Sequence, residues 1–119
     1  MRTLTLEGSL TIENKVNFGG AFSTLTLNSG GAITATSSSH RVAPETGTAD
    51  DIHTINGGTQ GDRLTIMSNS GVNTITVKHG TGNIYLDAST DKTLNSSRDK
   101  LQLVYFNGEW QQTSFSSNS

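Results

Sequence analysis

The chain has 119 residues, a formal net charge of −2 and no cysteine. This length fits one domain, or one domain with an appendage. The composition excludes disulfides and thiolate metal sites, the scattered Lys and Arg residues form no basic stripe for nucleic acid, and no run approaches the roughly 20 apolar residues of a membrane span. The N-terminus also lacks the apolar stretch of a signal peptide, so we expect a soluble protein that binds neither nucleic acid nor membrane.

Polar residues that favour strand surfaces and turns dominate the chain, with eighteen Thr, fifteen Ser and ten Asn. Thr suits the faces of strands, whereas Ser and Asn suit turns. The composition therefore predicts many short strands around a thin core. Disorder is the alternative for so polar a chain, but the low net charge and the regular spacing of Leu, Ile and Val argue against it.

The N-terminal part contains two similar segments. Residues 3–14 read TLTLEGSLTIEN, and residues 24–35, which begin 21 positions later, read TLTLNSGGAITA. Each alternates apolar and polar residues around a polar turn and is predicted to form a hairpin-like unit. The apolar side of the first copy consists of Leu4, Leu6, Leu10 and Ile12. Two copies fall short of the three or more repeats that a solenoid needs, so stacking across subunits would supply the missing neighbours.

Residues 39–51 belong to the least patterned stretch, which also holds the single proline, Pro44. Two interpretations stand side by side. The stretch is either a linker between an N-terminal β segment (residues 1–38) and a C-terminal β-domain (residues 52–119), or a long loop inside one domain.

Short alternating runs separated by Gly, Asn and Asp recur through the C-terminal domain and predict strands. They lie near residues 52–56, 63–68, 72–78, 83–87, 100–106 and 109–115. The pair Asn107-Gly108 between the last two runs predicts a two-residue type I′ hairpin turn. No stretch has helical periodicity. The predicted fold is all-β, a short-stranded antiparallel β-sandwich or barrel-like domain preceded by an N-terminal β-hairpin segment.

The histidines and glycines do not predict a metal or phosphate site. Asp50 and Asp51 point to opposite faces of a strand, so only one could join His53, and a turn capped by aspartate side chains is the favoured interpretation. His40 and His79 have no partner at ligand spacing and are interpreted as surface or interface residues. Residues 79–83 (HGTGN) precede a strand and not a helix, so a hairpin turn is favoured over a phosphate loop.

Carboxylate pairs for glycoside hydrolysis could be drawn from Glu7, Glu13, Glu45, Asp62, Asp87, Asp91, Asp99 and Glu109. Such enzymes need two carboxyls roughly 5–10 Å apart, a distance that sequence does not give. One Trp and two Tyr offer few stacking platforms for sugars. No Gly-x-Ser-x-Gly elbow marks a nucleophile. We predict neither catalytic residues nor a metal or cofactor.

Three ordered motifs resemble a β-rich module that recurs in structural proteins of tailed bacteriophages. They are DDIHTINGG at residues 50–58, TVKHGTGNI at 76–84 and LQLVYFNGEW at 101–110, within a resemblance that covers residues 43–114. The resemblance implies a virion appendage or surface protein, commonly a trimer, without catalytic residues to transfer.

Two functions are compatible with this resemblance. The first is a capsid decoration (cement) protein, a homotrimer on the exterior of the virion head, assembled in the host cytoplasm, with the major capsid protein as its partner and Leu4, Leu6, Leu10 and Ile12 as capsid contacts. The alternative is the distal part of a tail fibre or tailspike that binds a host receptor or glycan, although 119 residues hardly accommodate an attachment domain as well. A third, a sugar-cleaving depolymerase, needs the carboxylate pair.

Overall fold

The computed structural model describes residues 3–15 and 22–118. These residues form eleven short β-strands and a single 3-10 turn at Asp87–Ser89, which confirms the all-β prediction. The strands are β1 (Thr24–Thr26), β2 (Ala32–Thr34), β3 (Ser39–Ala43), β4 (Ala49–Ile52), β5 (Thr54–Asn56), β6 (Arg63–Ser68), β7 (Thr74–Val77), β8 (Ile84–Tyr85), β9 (Lys92–Leu94), β10 (Lys100–Phe106) and β11 (Glu109–Ser116).

Strands from successive turns of the chain stack in parallel. β3 lies between β1 and β6, β2 pairs with β5, and β4 pairs with β7. Ile33, for example, lies beside Ile55, 22 residues further along the chain. Each turn of the chain supports the next, so the arrangement is solenoid-like.

The C-terminal part reverses direction and covers one end of this stack. β9 runs antiparallel to β7, and β10 runs antiparallel to β6. β10 continues through a tight turn into β11, whose other neighbour is β8. The resulting six-stranded sheet has the order β1-β3-β6-β10-β11-β8, so β1 and β8 are its two edges.

The interior of the stack is a single apolar cluster. Every second residue of the strands points into it, as the sequence alternation predicts. Its buried members are Leu27, Ile33, Val42, Ile52, Ile55, Leu64, Ile66, Ile75, Val77, Ile84, Leu86, Leu94, Leu101, Leu103 and Trp110. Every buried side-chain nitrogen or oxygen in the described part of the chain has a hydrogen-bond partner.

The side chain of Asn83 takes the place of a strand beside β5. Its Oδ1 accepts a hydrogen bond from the backbone N–H of Ile55 at 2.9 Å, and its Nδ2 donates to the Ile55 carbonyl at 2.8 Å. The backbone N–H of Trp110 in turn donates to the carbonyl of Asn83 at 2.8 Å. A single amide side chain thus satisfies buried backbone groups that would otherwise need a further strand.

The N-terminal hairpins predicted from sequence do not form in the described residues. Residues 3–15 contain no strand, and residues 1, 2 and 16–21 of the predicted segment lie outside the described part of the chain. β1 and β2 are joined by a turn in which Gly31 N–H donates to the Asn28 carbonyl at 3.0 Å, yet they enter different sheets. Alternation indicates which side of a strand is buried, but it does not identify the strand's neighbour.

Residues 39–51, interpreted as a linker or long loop, contain β3 and most of β4. β3 lies inside the large sheet, where His40 and Val42 are fully buried. The sequence does not predict β3, because one of its two buried residues is a histidine and the apolar alternation is therefore incomplete. The prediction of antiparallel pairing is also incomplete, since the ladders among the described strands comprise five parallel and three antiparallel pairs.

Candidate assembly surface at the open end of the stack

The end of the stack opposite the C-terminal hairpin is open. β1 and β2 each have a strand neighbour on one side only among the described residues. Leu25 of β1 is only partly buried against the core. Unpaired backbone groups on an edge strand can pair with another chain, and a stack of repeats needs a polar cap at each end. This end is therefore suited to contact with another molecule.

Residues 3–15, here called the N-terminal segment, are exposed throughout. The four predicted capsid-contact residues are all more than two-fifths exposed: Leu4 by 81%, Leu6 by 52%, Leu10 by 66% and Ile12 by 47%. No hydrogen bond joins the segment to the rest of the described chain. A group of exposed apolar side chains of this kind is typical of an interaction site.

The sequence repeat relates these exposed residues to buried ones. Leu6 occupies the repeat position of Leu27, which is 1% exposed, and Ile12 occupies that of Ile33, which is 3% exposed. The repeat offset of 21 residues is close to the 22 residues that separate stacked Ile33 and Ile55. The N-terminal segment therefore carries the apolar pattern of a stacked turn without being stacked on the described chain.

The aspartates near His53 lie in β4, and the Asp50 side chain caps the loop that precedes it. Asp50 accepts from the backbone N–H of Glu45 at 2.9 Å and from that of Asp51 at 2.8 Å. His53 Nδ1 lies 2.8 Å from the hydroxyl of Thr81. Within residues 3–15 and 22–118, no group of three or more His, Asp or Glu side chains is placed to hold a metal ion.

His40, interpreted from sequence as a surface or interface residue, is instead buried within the chain. Its Nε2 accepts from the backbone N–H groups of Thr36 at 2.9 Å and Ser37 at 3.1 Å. Because Nε2 is the acceptor, the proton is assigned to Nδ1, which lies 3.1 Å from the carbonyl of Ser23. His40 thus ties the chain before β1 to the loop after β2.

The glycine-rich residues 79–83 turn the chain between two sheets. The Gly80 N–H donates to the Ile84 carbonyl at 2.8 Å, which closes the turn. β7 and β8 on either side belong to different sheets, so the predicted hairpin is a corner instead. At its start, the His79 N–H donates to Asp91 at 2.8 Å, and the Lys78 ammonium lies 2.7 Å from the same carboxylate.

These two contacts shift the titration of Asp91 and Lys78. The His79 hydrogen bond, followed by the Lys78 ammonium, lowers the pKa of Asp91 below its usual value of 3.8. The hydrogen bond to Asp91 raises the pKa of Lys78. A partially exposed ion pair of this kind positions the corner and supplies no general acid or base near neutral pH.

Other carboxylates considered for glycoside chemistry serve the backbone. Asp62 accepts from the Thr59 N–H at 2.9 Å. Asp99 is buried, and its two oxygens accept from the N–H groups of Asn95 at 3.1 Å and Asn118 at 2.7 Å. These aspartates act as hydrogen-bond acceptors that fix loops and the C-terminal tail.

Asn107 and Gly108 form the two-residue turn between β10 and β11. Their φ angles are 60° and 86°, and Phe106 pairs with Glu109 across the turn. Both angles are positive, as a type I′ turn requires. This turn shapes the hairpin that covers the closed end of the stack.

Sequence reasoning missed an exposed aromatic surface at the far edge of the large sheet. Tyr85 in β8 is 44% exposed and lines a shallow cavity together with Leu86, Asp87, Glu109, Gln111 and Gln112. The alternation of Ile84, Tyr85 and Leu86 already indicates that the tyrosine points outward. Its polar neighbours on β11 could not be known without the parallel pairing of β8 and β11.

Comparison with protein-family models, with curated proteins and with solved structures returned no match. Among the described residues, no helix has the length and apolarity needed to cross a membrane.

Proposed function

We propose that the protein is a non-enzymatic structural protein of a tailed-bacteriophage virion, a homotrimeric decoration (cement) protein that stabilises the head shell by binding the major capsid protein. The proposal rests on the resemblance of residues 43–114 to a virion module. It is supported by the exposed apolar side chains of the N-terminal segment. Among the structural observations, the exposure of this segment is the main support.

The contact would form by strand addition. If residues 3–14 become extended on binding, Leu4, Leu6, Leu10 and Ile12 lie on one side of them. The backbone can then pair with an exposed edge while these side chains enter pockets. Folding of the segment on binding lowers the affinity of one contact. Three tethered copies in a trimer offset that loss through effective concentration.

Shell stabilisation follows from mass action. A protein that binds the assembled shell, and not the free capsid subunit, stabilises the bound state by RT ln(1 + [L]/Kd) per site. Occupancy at 100 times Kd corresponds to about 2.7 kcal/mol per site. The decoration protein therefore needs no chemistry of its own to protect the particle.

Deletion of residues 1–14 tests the site of contact. The shortened chain keeps all eleven strands, so it should remain folded while no longer co-sedimenting with particles that lack the protein. A matched control is a quadruple variant in which Thr3, Thr5 and Thr11 become Ser and Ser9 becomes Thr. It preserves the four apolar residues of the segment and should still bind. Retained binding by the deletion variant would contradict the assignment of the contact to this segment.

The homotrimer is tested separately by light scattering of the full chain at micromolar concentration. A mass of three chains is expected, because the open edge and the exposed apolar segment need neighbours to cover them. A stable monomer across this concentration range would contradict the trimer.

The distal part of a tail fibre or tailspike is the second candidate. The parallel stack favours it, since a stack that is open at its N-terminal end can continue into a shaft of preceding turns, of which residues 3–14 would be one. The two candidates place the protein at different parts of the particle.

A further inference from the structure

The cavity beside Tyr85 has the features of a binding site. It is shallow, has a volume of about 500 Å³ and is lined by Tyr85, Leu86, Asp87, Glu109, Gln111 and Gln112. Leu86 in the lining is buried, whereas the remaining residues are polar or aromatic. A tyrosine with one exposed side, set among groups that form hydrogen bonds, suits a ligand with both apolar and polar surfaces.

The tyrosine ring is held in place before any ligand arrives. The ring of His79 stands perpendicular to it, with centroids 5.6 Å apart and an interplanar angle of 88°. The His79 ring is held by its Nδ1, which accepts from the backbone N–H of Leu86 at 2.9 Å. The backbone N–H of His79 donates to the Asp91 carboxylate at 2.8 Å. A preorganised ring loses little conformational freedom on binding.

Polar groups line the cavity together with the ring. Gln112 Oε1 accepts from the Asp87 N–H at 3.0 Å, which directs that amide toward the cavity wall. Gln111 Nε2 lies 3.5 Å from a Glu109 carboxylate oxygen. The Asp87 carboxylate accepts no hydrogen bond from the described residues. Just after it, Ala88 and Ser89 hold positive φ angles of 57° and 53°, a strained conformation of the kind found at functional sites.

This combination matches an uncharged pyranose. The C–H groups on one face of such a ring can lie on the tyrosine, while its hydroxyls donate to the carboxylates of Asp87 and Glu109 and exchange hydrogen bonds with the glutamine amides. The two carboxylates repel an anionic sugar.

We propose that Tyr85, Asp87, Glu109, Gln111 and Gln112 form a binding site for an uncharged hexopyranose unit of a polysaccharide. β8 and β1 are opposite edges of the large sheet. If the N-terminal end attaches to a particle, this site lies at the edge away from it. Only that outward orientation rests on the proposed function; sugar binding itself does not.

The experiment is a titration of the free, full-length protein followed by amide chemical shifts in ¹H–¹⁵N NMR spectra. The probes are the methyl pyranosides of glucose, galactose, mannose and N-acetylglucosamine, with methyl glucuronide and tetramethylammonium as charged comparisons. At least one uncharged pyranoside should shift the amides of residues 84–87 and 109–112 in a saturable manner. The same titration is expected to fail at equal concentrations of the glucuronide.

Variants assign the shifts to the site. Tyr85→Ala should weaken binding at least tenfold, and Glu109→Gln, which keeps the size of the side chain, should weaken it severalfold. Phe106→Ala is the matched control, since Phe106 is an aromatic residue of similar exposure, 51%, outside the cavity lining. It should leave the affinity unchanged.

Three outcomes would overturn the proposal: no saturable shift with any uncharged pyranoside, shifts that lie elsewhere on the chain, or saturation by tetramethylammonium alone. The titration uses the free protein, so a negative result would not bear on whether the protein binds particles. Likewise, a negative co-sedimentation result would not bear on sugar binding.

Discussion

Trp110 donates its indole N–H to the backbone carbonyl of Ile55 at 3.1 Å, although 55 residues separate them in the chain. Trp110 lies in the C-terminal hairpin and Ile55 in a stacked strand, so this bond joins the cover of the stack to its interior. The indole is 1% exposed and also meets the ring of Tyr105 edge-on, with centroids 5.0 Å apart. The hairpin is therefore part of the core and not an appendage.

Trp110→Phe should lower the free energy of unfolding by about 1–3 kcal/mol, because it removes this hydrogen bond and leaves a small cavity. The midpoint of denaturant unfolding measures the loss. Phe106→Leu, at an exposed position in the same hairpin, should change stability by no more than about 0.5 kcal/mol. Equal effects of the two substitutions would contradict the structural role of the indole.

Asn83→Ala should destabilise the protein by about 2–3 kcal/mol, because the buried N–H of Ile55 loses its acceptor. The Ile55 carbonyl still accepts the hydrogen bond from the Trp110 indole, so losing the Asn83 donor costs less than losing the acceptor of the Ile55 N–H. Asn73→Ala is the control, since that side chain bonds only the side chain of Asn69 among the described residues. If thermal melting shows the two variants to be equally stable, Asn83 does not substitute for a strand.

Replacing both Asn107 and Gly108 by Ala should cost about 1–3 kcal/mol, because alanine is disfavoured at positive φ. A β-carbon on Gly108 would meet no atom within 4 Å, so the cost is conformational and not steric. Gly71→Ala, which is equally unobstructed but lacks a positive φ, should be nearly neutral. An unchanged melting temperature for the double variant would exclude a type I′ turn.

Acid should remove the contribution of the Asp91 carboxylate to the stability of the fold. Its pKa is lower in the folded chain than the usual 3.8, so the stabilisation is fully present above that value and is lost as the pH falls through the folded pKa. The difference in melting temperature between wild type and Asp91→Asn should therefore be constant above about pH 5 and shrink below about pH 4. Lys78→Gln should retain part of the pH dependence, because the His79 hydrogen bond is the larger cause. A difference that stays constant down to pH 2.5 would contradict this account.

The sequence predicts most of the C-terminal strands, because each has a polar and an apolar side. It misses β9, and the strand predicted at residues 52–56 is two strands, β4 and β5, in different sheets. The bounds of β6 and β10 coincide with the predicted residues 63–68 and 100–106. Parallel stacking escaped prediction, since period-two alternation is the same in parallel and antiparallel ladders. β3 escaped because His40 reads as polar, although hydrogen bonds at both ring nitrogens allow it to be buried.

The candidate surfaces were predictable to different degrees. The alternation of residues 3–14 identifies an apolar side, but not that it remains exposed in the described chain. The site around Tyr85 depends on residues of β8 and β11 that are more than 20 positions apart in sequence and meet only through strand pairing. Which strands pair is decided by the topology of the sheet, and the local sequence pattern of each strand does not predict it.

The most direct test of the central claim is a cryo-electron microscopy map of phage particles that carry the protein. We expect three-fold density on the outer surface of the head, with the open β1 end and residues 3–15 against the capsid protein and the β8 edge facing outward. Density on the tail would favour the fibre instead. Density on the head with the β8 edge against the shell would contradict attachment through the N-terminal segment.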